Sequence, residues 1–415
     1  MRRNSRSQQL RRIVTLVICL APLLFVKISN AEFQIDGYYK NFFTTFNSPS
    51  TNEPLIGAVV NRLRLNSFYA PTDSLSFAFA YDFTPRVQDP LLFTESPFAV
   101  GIASSRYRVT DFDSRIYPNQ NEPIGNVGIY HNLDRASVQI STDFADISIG
   151  RDAIAWGSAR IINPTDVVAP YTYDQLDTED RVGVDAARIR IPVGILGEVD
   201  TGYIFGNNFN FDKSAIFLRT QLNAVETDFS LLLLEFQENL LVGLDVARGI
   251  GGAGFWLETA YVFAEPFNGE PNASDDYLRA SVGLDYSFGG ETYTFIEYHF
   301  NGAGVEKPEN FLTNLTQPAY THGGVYLLGP HYLAPGFMHQ LTPLINISGQ
   351  MLCNLSDPSA WIAPQIAYNI AEDIHLSVGS FFSFGKRPKN GDPTQFQSEF
   401  GSYPYLFFTS FRAYF

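Results

Sequence analysis

Cysteine is almost absent from this chain, which has only Cys19 and Cys353 among 415 residues. Because Cys19 lies in an N-terminal segment that we expect to be removed, the rest of the chain can form no internal disulfide and no cysteine-based zinc site. Long apolar runs are also missing. Beyond residue 31 no stretch approaches the roughly 20 apolar residues of a membrane-spanning helix. These absences exclude thiol chemistry and helical membrane spans for the mature chain.

Positive charge is scarce as well. The chain has 28 Lys and Arg against 43 Asp and Glu, a formal net charge of −15. Six of the basic residues and none of the acidic ones lie in the first 31 residues, so the remainder has a net charge of −21, from 22 basic and 43 acidic residues. Nucleic-acid binding needs a basic surface that neutralises phosphate charge. We therefore expect no nucleic-acid partner.

The N-terminus has the three parts of a secretory signal. Five arginines precede residue 13, residues 13–26 (IVTLVICLAPLLFV) are apolar, and Ser29-Asn30-Ala31 provides small residues before a cleavage point. An uncleaved membrane anchor is the alternative, but an apolar run of about 14 residues broken by Pro22 is too short to span a bilayer. We expect residues 1–31 to be a cleaved signal peptide and residues 32–415 to be the mature protein.

The mature chain alternates between large apolar and small or polar residues with a period of two. In residues 75–83 the odd positions are Leu, Phe, Phe, Tyr and Phe, and the even positions are Ser, Ala, Ala and Asp. A period of two is that of a β-strand with one apolar face. The pattern predicts about eighteen strands, with sixteen as the alternative. Their predicted ranges are 34–47, 58–70, 75–87, 128–141, 146–156, 181–194, 197–208, 215–224, 228–239, 240–250, 255–265, 277–288, 292–303, 331–342, 344–355, 360–371, 374–385 and 404–415.

The lengths of the predicted connections alternate too. Each connection after an even-numbered strand is a tight turn, whereas many of the others are long. The longest, which we expect to be extracellular loops, are 88–127, 157–180, 304–330 and 386–403. A soluble β-sandwich has no reason to sort its loops in this way, but short turns at one rim and long loops at the other are typical of outer-membrane barrels. We therefore predict an all-β fold, a transmembrane antiparallel up-and-down β-barrel.

The C-terminus is an aromatic strand, SYPYLFFTSFRAYF, that ends at Phe415. It resembles the assembly signal of Gram-negative outer-membrane proteins, which implies that the barrel assembly machinery recognises Phe415. Aromatic residues near strand ends would form interfacial girdles, or they are simply common strand formers. These residues are Tyr38, Tyr39, Tyr69, Tyr130, Tyr261, Tyr298, Tyr405 and Tyr414.

Motifs that could support catalysis are weak. The segment GIGGAG (249–254) matches a dinucleotide-binding pattern, but it joins two predicted strands and opens no helix. The six histidines show no two-ligand spacing, and no GxSxG motif is present. His375 and Ser377 share one face of a strand, which fits wall-lining residues better than a catalytic pair. We expect no enzymatic activity, no cofactor and no metal.

Residues 146–190 contain a strand, a long loop and a second strand with arginine and aspartate at intervals. The segment resembles the corresponding unit of porin-like outer-membrane families, including the alginate-export barrels. The matching positions are Gly150, Arg151, Gly157, Arg160, Arg181, Asp185 and Arg188. The resemblance implies a porin-like barrel in the outer membrane. An exporter of a polyanion needs a strongly basic lumen, so we do not extend the resemblance to alginate in this acidic chain.

Strand parity and the resemblance together give a set of candidate pore-lining or constriction residues. Basic candidates predominate early in the chain and acidic ones late, so opposed rows could create a transverse field across the pore. The alternative is that each charge is solvated or paired with a neighbour. The candidates are Arg62, Arg64, Asp82, Arg151, Arg160, Arg188, Arg190, Arg219, Glu235, Glu258, Asp285 and Glu297.

The loop 157–180 is rich in proline and apolar residues, which a freely solvated loop has little reason to carry. We predict that it folds partly into the lumen and that its acidic end, Asp174 to Asp180, approaches the arginines of the sixth predicted strand, Arg188 and Arg190. The alternative is an exposed loop that caps the mouth of the barrel.

These features predict a bacterial outer-membrane porin for passive diffusion of small hydrophilic solutes or oligosaccharides. The alternative is a structural or surface-polysaccharide-associated barrel with a closed pore and partner-binding loops. The expected partners are outer-membrane lipid, the barrel assembly machinery and a small hydrophilic solute. The oligomeric state, with a trimer among the options, is left open.

Overall fold

A computed structural model describes residues 31–47, 55–90, 107–110, 114–119, 121–266 and 276–415. The predicted signal peptide, except for Ala31, and most of the predicted loop 88–127 lie outside these residues. None of the helices in the described part of the chain has the length and apolar character needed to cross a membrane.

Nineteen strands make up the described structure, with a few short helical turns between them. The helical turns are Asn207–Phe209, Phe211–Lys213, Pro308–Asn310, Phe311–Asn314, Pro318–Thr321, Lys389–Gly391 and Phe400–Ser402. The strands are β1 (Glu32–Asn47), β2 (Ile56–Thr72), β3 (Leu75–Gln88), β4 (Ser114–Tyr117), β5 (Val127–Ser141), β6 (Asp146–Asp152), β7 (Val184–Val193), β8 (Gly197–Ile204), β9 (Ala215–Ala224), β10 (Thr227–Phe236), β11 (Asn239–Ile250), β12 (Ala253–Phe263), β13 (Tyr277–Phe288), β14 (Thr292–Asn301), β15 (His331–Thr342), β16 (Ile345–Asn354), β17 (Ser359–Ala371), β18 (Ile374–Phe384) and β19 (Tyr405–Tyr414).

Eighteen of these strands form one closed antiparallel barrel. Each pairs with the next along the chain, β3 pairs with β5, and the last strand pairs with the first in a register that places Tyr38 opposite Tyr414. The remaining strand, β4, pairs only at one end of β5. Closure gives every wall strand two neighbours, so no unpaired edge meets the lipid. The predicted fold class is confirmed, and the eighteen-strand count is correct rather than sixteen.

The two faces of the wall differ as the alternation predicts. On β3, Phe77 and Phe79 are 40% and 46% exposed on the outer face, whereas Ala80 and Asp82 are 2% and 0% exposed on the inner face. Outward apolar side chains on the other strands continue this exterior. An apolar outer surface around a closed barrel is what a membrane-spanning barrel needs, because its side chains meet acyl chains rather than water.

The structure corrects several sequence-based boundaries. Strand β6 ends at Asp152 and β7 begins at Val184, so the predicted loop 157–180 extends over residues 153–183. Strand β8 ends at Ile204 instead of continuing to residue 208. The predicted loop 88–127 contains the short strand β4. That strand is only four residues long, too short for an alternating pattern to be recognised.

Glu235 was wrongly predicted to face inward. It lies opposite Ile216, which is 53% exposed on the outer face, while the neighbouring Leu234 and Phe236 are fully buried on the inner face. The reason is that four consecutive leucines precede Glu235, so the sequence has no polar inner face from which parity could be read. Tyr38 is likewise not a girdle residue, because it faces inward and is only 3% exposed.

Chain segments between the strands fill part of the barrel interior. One cluster of buried apolar residues joins the inner faces of β7–β13 to Ile154, Trp156 and Val167. A second cluster joins β1, β2 and β15–β19 to Ile162, Tyr173, Leu327 and Phe400. Residues that connect strands thus pack against the wall from within, and the segment 153–183 contributes to both clusters.

Candidate functional site

The segment 153–183, named here the inward segment, crosses the interior of the barrel. Its Ile154 and Trp156 are 2% and 4% exposed in the first apolar cluster, and Trp156 packs against Phe217 of β9 with 4.9 Å between ring centroids. Ile162 is fully buried in the second cluster, near β15–β19. Burial of each such aliphatic side chain contributes about 1.5–3 kcal/mol. The predicted inward folding of this loop is confirmed.

One wall binds the inward segment with carboxylates. Glu258 of β12 has no exposed surface and accepts hydrogen bonds from the backbone N–H groups of Ser158 and Ala159, each at 3.1 Å. It also accepts from the backbone N–H and the hydroxyl of Thr165, at 2.8 and 2.7 Å. Four donors from one segment therefore converge on a single buried carboxylate, which satisfies its charge by hydrogen bonding rather than by a cation.

Glu297 of β14 likewise accepts backbone hydrogen bonds from the inward segment, at residues 160 and 162. It accepts from the backbone N–H groups of Arg160 and Ile162, at 2.7 and 3.0 Å, and from the indole N–H of Trp256 at 3.0 Å. On the neighbouring strand β13, the carboxylate of Asp285 pairs with the Arg160 guanidinium at 2.7 Å. These two glutamates and Asp285 thus bind residues 158–165 to β12–β14, and Ser281 and Arg279 of β13 add hydrogen bonds to the carbonyls of Ile162 and Pro164.

Gly157 allows this close approach. A Cβ atom at this position would lie 2.5 Å from the Glu258 carboxylate. The residue also has a φ of +103°, a backbone conformation that residues other than glycine rarely adopt. The chain can therefore turn directly against the carboxylate only with glycine at position 157.

The opposite wall binds the acidic end of the inward segment. Lys40 of β1 is fully buried and its Nζ lies 2.9 Å from Asp177 and 2.7 Å from Glu179. Arg62 of β2 donates to Asp177 at 3.1 Å, and the Tyr38 hydroxyl donates to Asp180 at 2.5 Å. This end of the segment is therefore held by ion pairs with the first two strands. The prediction that it approaches the arginines of β7 is wrong, because Arg188 pairs with Asp200 instead.

The contacts of the inward segment shift the pKa values of two of its aspartates, Asp177 and Asp166. Burial alone would raise the pKa of Asp177, but the nearby Lys40 and Arg62 outweigh it and lower that pKa below its ordinary value. Asp166 is bonded to Arg181 and is 1% exposed, and here burial dominates and raises the pKa of Asp166 to about 6. The Arg181 guanidinium also donates to the carbonyl of Ala169 at 3.0 Å, which holds the segment against itself.

The other predicted residues of the early strands lie in a buried network on the wall itself. Asp82 is fully buried and pairs with Arg62 at 3.0 Å and with Arg64 at 3.2 Å. Arg64 also pairs with Asp134 at 2.9 Å. These groups face inward, as predicted, but Arg64 and Asp82 are shielded from lumen water by their own pairing.

The remaining candidates are spread around the barrel. Arg151 is 4% exposed and pairs with Asp185 at 2.7 Å; it also donates to the carbonyls of Leu133 and Thr110, each at 2.8 Å. Arg188 pairs with Asp200 at 2.7 Å. Arg190 is half-buried opposite Asp200, and Arg219 donates to Ser230 at 2.8 Å. Their roles in a solute path stay predictions.

The predicted rows of unpaired basic and acidic residues facing each other across the lumen are not present among the described residues, because these charges have nearby partners. In the described residues Arg62 and Arg64 are paired with acids, while Glu258 and Glu297 are saturated by the inward segment. Sequence reasoning missed Lys40 and included Asp177 only as part of the acidic end, Asp174 to Asp180. Lys40 shares the inner-face parity of Tyr38 and Phe42, so strand parity could have found it; no pattern in the sequence pairs it with Asp177.

A closed barrel with an apolar exterior and a chain segment anchored inside it defines the class: an outer-membrane β-barrel of the porin-like architecture. No protein-family model matches the chain, and no curated protein sequence matches it.

Solved structures do match. OprD from Pseudomonas aeruginosa has a TM-score of 0.54 at 8% identity, with 94% of this chain and 95% of that chain covered. OccAB2 from Acinetobacter baumannii gives 0.55 at 9% identity, with 92% and 98% covered. Pseudomonas aeruginosa OpdK, solved with vanillate, gives 0.54 at 8% identity, with 92% and 98% covered. At these identities the likeness establishes the fold, which spans nearly the whole chain.

Proposed function

We propose that the protein is a passive outer-membrane channel for small hydrophilic solutes or oligosaccharides, and that the inward segment sets the size of its opening. The observation that carries the proposal is the anchoring of this segment on two sides of the barrel. Residues 158–165 are bound to β12–β14, and residues 177–180 are bound to β1 and β2. An untethered loop of this length would sample many states, whereas one held at both ends defines one opening.

Arg160 is the charged group best placed to meet a solute. It lies in the inward segment beside Trp256, with 5.0 Å between guanidinium carbon and ring, and its side chain is 47% exposed. Its partner Asp285 also accepts from the Tyr293 hydroxyl at 2.9 Å. A half-exposed cation, a carboxylate and a phenol next to one another offer hydrogen bonds to a polar solute. We assign the barrel no enzymatic role, and we infer that its assembly depends on the barrel assembly machinery.

Single-channel recording in planar bilayers tests the constriction. Deletion of residues 163–176 removes the middle of the inward segment, including Thr165, and should raise the conductance and admit larger sugars. A barrel that is folded, as shown by its heat-dependent migration on gels, but has unchanged conductance and size exclusion would contradict the proposal.

A closed barrel with partner-binding loops is the second candidate, and one observation favours it. Two clusters of buried apolar residues lie inside the barrel, and they include Val325, Leu327 and Phe400 from the connections after β14 and β18. The full-length barrel distinguishes the two functions. Steady conductance in planar bilayers supports a channel, and a correctly folded barrel that carries no current supports the closed form.

A further inference from the structure

A compact basic cluster lies at the rim where β18 ends and the connection to β19 begins. The sequence there is Lys386-Arg387-Pro388-Lys389, three cations in four residues of a chain that is otherwise strongly acidic. Lys386 and Lys389 are exposed and Arg387 is half-buried. This is the rim of the long connections, which faces the cell exterior in outer-membrane barrels. The cluster is therefore a local excess of positive charge at the extracellular rim of an acidic chain.

The cluster lies directly above an apolar strip on the outside of the barrel. Phe407 and Phe384 are 47% and 50% exposed on the outer faces of β19 and β18. Phe382 packs between Phe407 and Tyr405, at centroid distances of 5.9 and 6.2 Å. The basic residues thus begin where the lipid-facing surface of these two strands ends.

Arg387 is oriented by this aromatic strip. Its guanidinium carbon lies 4.8 Å from the centre of the Tyr405 ring, and one of its nitrogens donates to the carbonyl of Tyr403 at 3.2 Å. A guanidinium has five N–H donors, so most of them stay available for a further acceptor. Stacking on the ring holds the cation at the lipid boundary and lowers the conformational cost of binding there.

The cations have no acidic partner in the described structure. None of Lys386, Arg387 and Lys389 forms an ion pair with another described residue. The first acid that follows them, Asp392, accepts hydrogen bonds from Thr394 and Gln395 instead. The positive charge of the cluster is therefore not neutralised by an ion pair with any residue that the structure describes.

We propose that Lys386, Arg387 and Lys389 bind the phosphate groups of lipopolysaccharide in the outer leaflet. Clustered lysine and arginine at a membrane surface recognise anionic lipid head groups, and arginine binds a phosphate with two parallel hydrogen bonds. The acyl chains of the same lipid lie against Phe384 and Phe407. One lipid molecule can thus use both surfaces, which fits a lipid better than a soluble polyanion.

Binding of labelled lipopolysaccharide to the full-length barrel, refolded in detergent, tests the proposal. The variant has Lys386, Arg387 and Lys389 all changed to Gln, and the control is Lys307→Gln, which removes an exposed cation from the connection after β14. Each cation near an anionic surface contributes about 1 kcal/mol, so we expect affinity to fall roughly 100-fold in the triple variant and less than about 5-fold in the control. Arg387→Gln alone should give an intermediate loss.

Dephosphorylated lipopolysaccharide and heparin complete the experiment, with folding verified by heat-dependent gel migration. Wild-type protein should bind the dephosphorylated lipid as weakly as the triple variant binds the intact one. Unchanged affinity in the triple variant, or equal binding of both lipids by wild-type protein, would overturn the proposal. Loss of heparin binding with intact lipid binding would assign the cluster to a soluble acidic partner instead.

Discussion

Asp177 illustrates how single charges in this barrel depend on their partners. Its carboxylate lies between Lys40 and Arg62, and Lys40 is fully buried. Removal of the acid would leave a buried ammonium group with Glu179 as its remaining partner, a costly arrangement. Because the pKa of Asp177 is lowered, its attraction to the wall is complete above its ordinary pKa of about 3.9 and is lost only as the pH falls through the lowered value.

Because the pKa of Asp177 is lowered, its ion pairs should persist across the neutral pH range. Conductance and current noise due to this contact should be constant between pH 5 and 8 and should increase only in stronger acid. Asp177→Asn should show increased current fluctuations already at pH 7, because the neutral amide holds the two cations less strongly. Asp73→Asn, at an exposed turn, is the matched control and should behave as wild type. Quiet currents from the Asp177 variant at pH 7 would contradict the role given to this ion pair.

At the scale of elements, the eighteen barrel strands were predictable because alternation is a local property of the sequence. Leu75 to Phe83 shows it without ambiguity. The inner contacts of the same strands were not predictable in this way. Parity places Glu258 and Glu297 on inner faces, but only the fold shows that the backbone of residues 158–165 meets them. Glu235 marks the limit of parity itself, because the leucines before it are apolar on both faces.

The inward segment should detach locally when its carboxylate anchor is removed. Glu258→Ala leaves the N–H groups of Ser158, Ala159 and Thr165 without this acceptor, and each lost partner of a buried donor costs about 1–3 kcal/mol. We expect limited proteolysis within residues 153–183 to become at least about 10-fold faster, while the barrel stays folded. Glu235→Ala, which removes an outward-facing glutamate, is the control.

Comparable cleavage rates in the Glu258 and Glu235 variants would show that the anchor contributes little to docking. Loss of the folded barrel in the Glu258 variant alone would show that the segment supports the wall as well as the opening.

At the scale of the whole molecule, closure joins the first strand to the last one. The backbone N–H of Phe415 donates to Gly37 at 3.0 Å, and the N–H of Gly37 donates to Phe415 at 2.9 Å. The Phe415 side chain itself is 61% exposed. These two hydrogen bonds extend the β1–β19 ladder by one residue pair, and they need a residue at position 415 but not an aromatic one.

Phe415→Ala should consequently impair insertion in cells far more than it changes the stability of a refolded barrel. We expect the amount in isolated outer membranes to fall several-fold, with the unfolding midpoint in urea nearly unchanged, since an exposed side chain buries little area. Phe407→Ala is a matched control, because that ring lies on the same strand and is 47% exposed on the outer face. Equal membrane levels of the two variants would contradict a recognition role for the terminal ring.

The way Glu258 and Glu297 hold the inward segment has a consequence for which of its residues can be exchanged. Apart from the Thr165 hydroxyl, the segment binds these carboxylates through its main chain, which every residue except proline supplies. The hydrogen bonds to Glu258 and Glu297 therefore do not depend on the side chains at positions 159–162, whereas the burial of Ile162 and the pairing of Arg160 with Asp285 do. A substitution of Ala159 would therefore alter the surface of the inward segment while leaving its backbone hydrogen bond to Glu258 in place.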